Sequence, residues 1–312
     1  MEKKRIAILI PCLNEGLIIG KVVSDFKSVI PEAKIYVYDN RSTDNTAEEA
    51  KAAGAIVRYE PRRGKGNVIR RMFADIEADI YVMVDGDNTY EVGIIPKLIN
   101  KLLAENLDMV VGARTIKNKD DFTYRPGHQI GNIFLTNLVS YLFGTRLTDM
   151  LSGYRVFSRR FVKSFPVLSS GFEIETELTI HALELKVPFS EEPTLYIERI
   201  SGSESKLKTY RDGWRVLGTA IILFKEIKPF LFFAIISFIF AFFSIVLIVP
   251  ILLTFFKSGF VPKFPTLIIA ASIMLLAFLS LTCGVILDSV SRGRKEIKRM
   301  IYLNYLSAQN EK

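Results

Sequence analysis

The stretch "YVMVDGDNTYE", from Tyr81 to Glu91, is a run of apolar residues that ends in two aspartates separated by one glycine. Asp-Gly pairs are common in turns, because both residue types tolerate turn conformations. Two carboxylates at the end of a buried strand are also suited to a divalent cation, because hard cations prefer oxygen ligands. Asp85 and Asp87 are therefore either turn residues or candidate metal ligands, and their surroundings decide between the two.

Similar apolar runs recur through the first 115 residues, with amphipathic helical patterns between them. They cover residues 6–11, 34–40, 55–60, 80–85 and 109–114. Strands that alternate with helices predict an α/β fold with a mainly parallel sheet and helices on both faces. Ligands of such folds bind outside the carboxyl ends of the strands. An active site is expected there, where the runs end in Asp39, Asp85, Asp87 and Arg114.

Two long uncharged runs near the C-terminus, residues 230–256 and 264–287, predict a pair of transmembrane helices. About 20 apolar residues are enough to cross a bilayer, and Pro250 is expected to kink or end the first helix. The flanks "KEIK" and "RGRKEIKR" are richer in lysine and arginine than the connecting loop "KSGFVPK". The positive-inside rule therefore predicts a multi-pass membrane protein whose catalytic domain and both termini are cytoplasmic.

These patterns divide the chain into four parts: a domain over residues 1–204, a juxtamembrane helix over 205–229, the two spans over 230–287 and a basic tail over 288–312. Within the first part, "GNIFLTNLVSYLF" and "FEIETELTIHALEL" are helix-like and "SGYRVFS" is strand-like. Apolar residues of the juxtamembrane segment recur every three or four positions. That spacing fits a core-packed helix or one in the membrane interface, and the position favours the interface.

The net charge of +8 is compatible with binding to nucleic acid, but its placement argues for a membrane partner. Residues 199–228 contain seven basic and three acidic side chains immediately before the first span. Anionic headgroups attract such juxtamembrane segments, so we expect no nucleic acid partner. The two cysteines and two histidines form no zinc-binding pattern.

Two motif resemblances fail on inspection. "DGDNTY" begins like a calcium loop, but Tyr90 and Pro96 stand where that loop needs glycine and glutamate, which excludes an EF-hand. "RRGKGN" lacks the pattern of a phosphate-binding loop and could be a solvated turn. Its cations Arg62, Arg63 and Lys65 would nevertheless suit a pyrophosphate.

In order along the chain, "IPCLNE", "YDNRSTDNT" and "DGDNTY" resemble the family 2 glycosyltransferases of the GT-A fold. "TDMLSGYRVFSRR", "GFEIETEL" and "YIERISGSESKL" narrow the resemblance to polyprenyl-phosphate sugar synthases, the dolichol-phosphate mannose and glucose synthase group. The similarity covers about residues 5–207, and many members also have two C-terminal membrane helices. The fold implied is a Rossmann-like GT-A sheet, followed by an interfacial helix and a transmembrane hairpin.

The resemblance implies a site for a nucleotide sugar, with a UDP-sugar favoured. Asp87 is expected to be a direct ligand of Mg²⁺ or Mn²⁺, with Asp85 as the second metal-site carboxylate. Thr89 replaces the glutamine of the D-x-D-x-Q pattern found in many synthases, so a hydroxyl or a water would have to make that contact. The other residues implied to border the donor are Pro11, Asn14, Glu15, Asp39 and Lys65.

The acceptor that the resemblance implies is a polyprenyl phosphate, undecaprenyl or dolichyl. A phosphate monoester is mostly dianionic at neutral pH, so it needs positioning more than a general base. The basic residues implied for it are Arg114, Arg199, Lys206 and His128, with Arg125 as an alternative to His128. Arg155 either meets this phosphate or braces the site. Asp149 is a catalytic candidate that either orients a substrate or acts as a base.

Glu173 and Glu175 lie two apart at the start of a predicted helix. They either interact with the helix terminus or contact sugar hydroxyls or a lysine. The function expected is inverting transfer of one sugar to the lipid phosphate at the cytoplasmic face of the membrane. The alternatives are a processive polysaccharide synthase, which normally has more spans, and a non-catalytic membrane scaffold. A homo-oligomer assembled through the membrane helices is compatible with each of these functions.

Overall fold

The computed structural model describes residues 4–115, 126–171, 173–196, 218, 220–261 and 263–306. The chain divides into two compact units. The sheet unit comprises Met1–Gly213 together with Lys298–Lys312, and the hairpin unit comprises Trp214–Ile297.

The sheet unit is built on seven strands in the order β3-β2-β1-β4-β6-β5-β7. The strands are β1 (Ile6–Cys12), β2 (Lys34–Asp39), β3 (Ile56–Tyr59), β4 (Ile80–Met83), β5 (Met109–Thr115), β6 (Arg155–Ser158) and β7 (Phe189–Leu195). All neighbours pair in parallel except β6, which is antiparallel to β4 and β5. The mainly parallel sheet expected from the sequence is confirmed.

Strand β7 was not recognised in the sequence. Its residues, "FSEEPTL", include two glutamates and a proline, so they lack the apolar run that marks the other parallel strands. The strand forms the edge of the sheet beside β5. Charges and proline are typical of edge strands, because one side of the backbone is left without a neighbour.

Helices cover both faces of the sheet, as predicted. They are α1 (Ile19–Val29), α2 (Thr46–Ala52), α3 (Lys65–Asp75), α4 (Ile95–Ala104), α5 (Pro126–Phe143), α6 (Arg159–Ser164) and α7 (Ile174–Leu185). Alternate residues of β1 point to opposite faces: Ile8 and Ile10 join the core with α1 and α4. Ala7 and Leu9 join a second core with α3, α6 and α7. Burial on both faces explains the nearly continuous apolar run of this strand.

The two apolar helices predicted from the sequence lie in the hairpin unit, except for the last turns of the second helix, which group with the sheet unit. After a helical stretch over residues 220–227, α8 covers Pro229–Ser258 and α9 begins at Phe264 and ends at Leu303. Both are long and apolar enough to cross a membrane. Pro250 lies inside α8, which continues to Ser258, so the proline does not end the helix. Most of the juxtamembrane segment over 205–229 lies outside the described residues.

Small side chains pack α8 against α9. Ala270, Ala277, Gly284 and Ser291 recur every seventh residue of α9, and all four are buried. The buried Ser244 hydroxyl on α8 donates to the Ala270 carbonyl oxygen at 2.7 Å. Small residues let helix backbones approach closely, and a hydroxyl that bonds across the interface adds to the packing in an apolar medium.

One buried group makes the stability of the sheet unit depend on pH. Neither ring nitrogen of His181 on α7 has a hydrogen-bond partner within the part of the chain that the structure describes. The ring packs against Phe161 and Phe165, with centroids 5.4 and 5.0 Å away. Burial lowers the pKa of His181 from 6.5 to about 3, and the charge of Lys298 acts in the same direction.

His181→Phe is therefore expected to make the protein more resistant to acid. Between pH 6.5 and 3 the unfolded chain binds a proton at this histidine that the folded chain does not. The free energy of unfolding consequently falls as pH falls, by up to about 1.4 kcal/mol per pH unit. Melting temperatures in detergent from pH 7 to pH 5 measure this slope. His181→Gln should show the same shallower slope at lower overall stability, whereas an unchanged slope in both variants would exclude this source.

Candidate active site

The loops that follow β1, β2 and β4 meet at one edge of the sheet, because these strands are parallel neighbours. Strand β2 ends at Asp39, and the turn after β4 contains Asp85 and Asp87. Arg114 lies near the carboxyl end of β5, where it is paired with Thr194 of β7. The candidate residues taken from the strand ends thus share one edge of the sheet.

Hydrogen bonds tie the loop after β1 to the loop after β2. Asn14 adopts a left-handed conformation with φ of 55°, which asparagine tolerates better than most residues. Its side-chain oxygen accepts from the Thr43 amide at 2.8 Å, and its own amide donates to the Ser42 hydroxyl at 2.9 Å. The Glu15 amide donates to the Thr46 hydroxyl at 2.9 Å. Asn14 and Glu15 therefore lie on a loop braced by the loop after β2; these two loops, with Pro11 and Asp39 at the ends of their strands, are called the rim below.

Asp39 and Asn40 hold the loops that follow β2 and β3. The Asp39 carboxylate accepts from the Ser42 amide at 3.1 Å. The buried Asn40 amide group donates to the carbonyl oxygens of Glu60 and Arg62, at 2.9 and 2.7 Å, and its oxygen accepts from the Gly64 amide at 2.7 Å. The resemblance assigned a role at this pair only to Asp39; the structure shows that Asn40 shapes the loop "RRGKGN".

The glycines of "RRGKGN" allow the backbone of this loop to lie against the backbone of residues 169–171. A side chain on Gly64 or Gly66 would put its Cβ well within 3.0 Å of the carbonyl oxygen of Ser170 or Ser169. The Gly66 amide donates to the Gly171 carbonyl oxygen at 3.1 Å. This packing explains the Gly-Lys-Gly pattern without a phosphate loop.

Lys65 lies between two carboxylates from distant parts of the chain. Its ammonium donates to Asp85 Oδ1 and to Glu175 Oε1, and the lysine side chain is only 11% exposed. Burial opposes the charge on Lys65, but the two carboxylates outweigh it and raise the pKa of the ammonium above its ordinary value. Of the roles considered for Glu175, the structure shows a contact with a lysine. Glu173 stands at the N-cap of α7 without a side-chain capping bond.

Thr89 orients the second aspartate of the pair. Its hydroxyl donates to Asp87 Oδ1 at 2.7 Å, and both residues are buried. Among the residues that the structure describes, no group of three carboxylate, histidine or cysteine side chains is placed to hold a metal. A hard cation here would take one or two carboxylate oxygens and further oxygens from a diphosphate, a coordination that Mg²⁺ and Mn²⁺ accept.

Arg114 and Asp149 form a bidentate ion pair. Arg114 Nε donates to Asp149 Oδ2 at 2.6 Å and Nη2 to Oδ1 at 2.8 Å, while the Arg114 amide also donates to Oδ2 at 3.1 Å. Such fork-to-carboxylate contacts hold a guanidinium in one plane. The pairing favours the role of Asp149 in orienting a substrate-binding group over its role as a base.

Arg155 is placed to brace the site and not to contact the acceptor phosphate. It is fully buried, and burial lowers the pKa of its guanidinium. It donates to the carbonyl oxygens of Ser152 and Met150, at 2.9 and 2.6 Å, and to the Thr179 hydroxyl at 3.0 Å. These bonds hold the loop that carries Asp149, so we assign Arg155 the second of its two expected roles.

The same loop borders Asp85 through a residue that the sequence did not single out. Gly153 lies so close to the Asp85 carboxylate that a Cβ there would come within 3.0 Å of it. The Tyr90 hydroxyl accepts from the Gly153 amide at 3.0 Å, and the Ser152 hydroxyl donates to the Gly112 carbonyl oxygen at 2.6 Å. Arg199, Lys206 and the side chains of Arg125 and His128 lie outside what the structure describes.

Comparison with known proteins identifies the class of enzyme to which this site belongs. The family model described as "Glycosyl transferase family 2" matches residues 7–165. The chain therefore belongs to glycosyl transferase family 2.

Individual relatives agree with this assignment. Glycosyltransferase AglJ of Haloferax volcanii is 35% identical over 214 residues, which are 67% of this chain and 68% of the relative. The UDP-N-acetylglucosamine–dolichyl-phosphate N-acetylglucosaminyltransferase of Methanococcus voltae is 28% identical over 64% of this chain and 88% of the relative. Glucosyl-3-phosphoglycerate synthase from Mycobacterium tuberculosis, solved with Mn²⁺, UDP and glucosyl-3-phosphoglycerate, shares the fold with a TM-score of 0.56 at 22% identity. The match covers 71% of this chain and 79% of that one.

Proposed function

We propose that this glycosyltransferase moves one sugar from a UDP-sugar to a polyprenyl phosphate at the cytoplasmic face of a membrane. The observation that carries the proposal is the location of two sets of charged side chains at the carboxyl ends of the parallel strands. Asp85 and Asp87 follow β4, and Arg114, ion-paired with Asp149, lies near the end of β5. Support comes from a relative named for UDP-N-acetylglucosamine and dolichyl phosphate, and from two helices of membrane-spanning length.

The donor would lie along the rim formed by Pro11, Asn14, Glu15 and Asp39. Asp87, with Asp85 beside it, would hold Mg²⁺ or Mn²⁺, which neutralises charge on a departing diphosphate when bound. Lys65 is charged and adjacent to Asp85. Its positive charge is therefore placed to compensate part of the negative charge of the diphosphate.

The acceptor phosphate would be positioned by Arg114, whose orientation Asp149 sets. One oxygen of the phosphate dianion forms a bond to the anomeric carbon as the bond from that carbon to the diphosphate breaks. This single displacement inverts the anomeric configuration and releases UDP. Since the dianion carries no proton at neutral pH, the step requires positioning and charge compensation more than a base. Arg199, Lys206 and His128 remain proposed additional contacts to this phosphate.

Nucleotide release by the purified protein tests the proposal. UDP- and GDP-sugars are supplied with Mn²⁺ or Mg²⁺, each with undecaprenyl phosphate, with dolichyl phosphate or without lipid. Release of UDP from one donor, dependent on a lipid phosphate, is the expected result and identifies the sugar. Release without lipid, together with a growing glycan, would point to a polysaccharide synthase. Inactivity of well-folded protein across the panel would favour the scaffold.

A further inference from the structure

The last turns of α9 are built into the sheet unit. Although α9 begins in the hairpin unit, residues from Lys298 onward group with the sheet. Tyr302 is only 3% exposed and belongs to the core beneath α3, α6 and α7. The sequence predicted a basic cytoplasmic tail over residues 288–312, whereas in the structure α9 continues to Leu303.

Tyr302 completes a buried polar cluster around Asp108. Its hydroxyl donates to Asp108 Oδ2 at 2.6 Å, and Asp108 is 1% exposed. The same carboxylate accepts from the Ser158 hydroxyl at 2.6 Å and from Arg160 Nη2 at 2.7 Å. A buried carboxylate is stabilised when each of its oxygens accepts hydrogen bonds. Tyr302 supplies one of the donors to Asp108 Oδ2.

Two arginines lie close to the Tyr302 ring. The guanidinium carbon of Arg160 lies 4.3 Å from the ring centroid and that of Arg299 lies 5.0 Å from it, within the range of cation–π attraction. Arg299 also donates to the Leu185 carbonyl oxygen at 2.8 Å. Lys298 pairs with Glu184 at 2.9 Å. The end of α9 is thus held at several points around the end of α7.

This cluster is remote from the chemistry. Asp108 immediately precedes β5, whereas Arg114 lies near the carboxyl end of the same strand. Tyr302 therefore has no place among the residues that touch substrate. The docked residues are continuous in the chain with the helix that begins in the hairpin unit, so their contacts provide a second connection along α9.

We propose that the docked end of α9 is a second attachment of the sheet unit to the membrane hairpin, in addition to the chain over residues 197–228, and that Tyr302 is its central positioning residue. This inference rests on the proposed function for its catalytic consequence, because an acceptor embedded in a bilayer can be reached only by a site held at the right depth. The attachment itself can be tested without any activity.

The first test measures the attachment directly. A protease site inserted after Glu204 in the full chain lets residues 1–204 be cut from residues 205–312. In detergent the two fragments of the wild-type sequence are expected to co-elute after cleavage, and those of Tyr302→Ala to separate. Leu303→Ala is the matched control, because Leu303 lies in the same turn and is 62% exposed. Separation of the wild-type fragments, or co-elution of the Tyr302→Ala fragments, would overturn the proposal.

A charge exchange covers the case in which Tyr302→Ala does not fold. Lys298→Glu places two carboxylates together at the contact with Glu184 and is expected to weaken co-elution. The double variant with Glu184→Lys restores opposite charges and is expected to restore it. Absence of both effects would show that the α9 end is not docked in solution.

The second test measures the catalytic consequence. Tyr302→Ala is expected to lower transfer to polyprenyl phosphate in vesicles by about tenfold or more, as misplacement of a reacting group does. Transfer to a short-chain, water-soluble isoprenyl phosphate and the Kd for UDP should stay close to wild type. An equal loss with both acceptors would assign Tyr302 to folding alone. If wild-type protein transfers to neither lipid, the proposed function fails while the co-elution result stands on its own.

Discussion

Asp87→Asn is expected to lower the rate of UDP release from the preferred donor by about 100- to 1,000-fold, because the variant loses one charged ligand of the proposed cation. Asparagine has nearly the same shape as aspartate, and its side-chain oxygen can still accept from the Thr89 hydroxyl, which bonds Asp87 at 2.7 Å. The fold should therefore survive, and the loss should reflect charge. Titration with Mn²⁺ should show a much weaker dependence on the metal than in the wild-type protein.

The matched control is Asp25→Asn on α1. Asp25 pairs with Lys21 one helical turn away, and its side chain is 38% exposed. Exposed pairs of this kind contribute little to stability, so the rate and the metal dependence should not change. If Asp87→Asn also kept the wild-type rate and metal dependence, the aspartate pair would be a strand-ending turn and the proposed metal site would be wrong.

Gly153→Ala is expected to lower the transfer rate by about 100-fold, since displacement of a catalytic group by about 1 Å has effects of that size. The new Cβ would lie within 3.0 Å of the Asp85 carboxylate, so one of the two must move. Gly153 is not among the glycines with a left-handed backbone, so alanine fits its local conformation. The carboxylate, at the end of a side chain, should move first and lose its alignment with Lys65.

Steady-state rates with varied donor, together with melting temperatures, test this prediction. The expected pattern is a large fall in kcat with a melting temperature near that of the wild-type protein. Gly293→Ala is the control, because Gly293 lies in α9 with no atom within 4 Å of an added Cβ. It should be neutral, or stabilising by up to about 1 kcal/mol. Normal activity of Gly153→Ala would show that the alignment of Asp85 does not limit the reaction.

Local patterns in the sequence predicted most of the architecture. Runs of apolar residues between turn residues predicted five of the seven strands, and "SGYRVFS" predicted β6. Two long uncharged runs predicted α8 and α9. These features depend on burial along short segments, which residue type and period report directly. Strand β7 was not predicted because an edge strand does not need a continuous run of apolar residues.

The edge of the sheet that carries the site could also be read from the sequence. Parallel strands bring their carboxyl ends together, so aspartates at those ends were expected to meet. Asp39 ends β2, and Asp85 and Asp87 follow β4; these two strands lie on either side of β1 and run parallel to it.

The partners of each charged side chain were decided only by the tertiary structure. Lys65 and Glu175 are 110 residues apart, and Tyr302 and Asp108 are 194 apart. Pairs so far apart in the chain cannot be predicted from the periodicity of the sequence. Whether an arginine meets a ligand, like the proposed Arg114, or braces a loop, like Arg155, depends on its burial and on which carbonyl oxygens surround it. Those are properties of packed segments, and they exist only once the chain has folded.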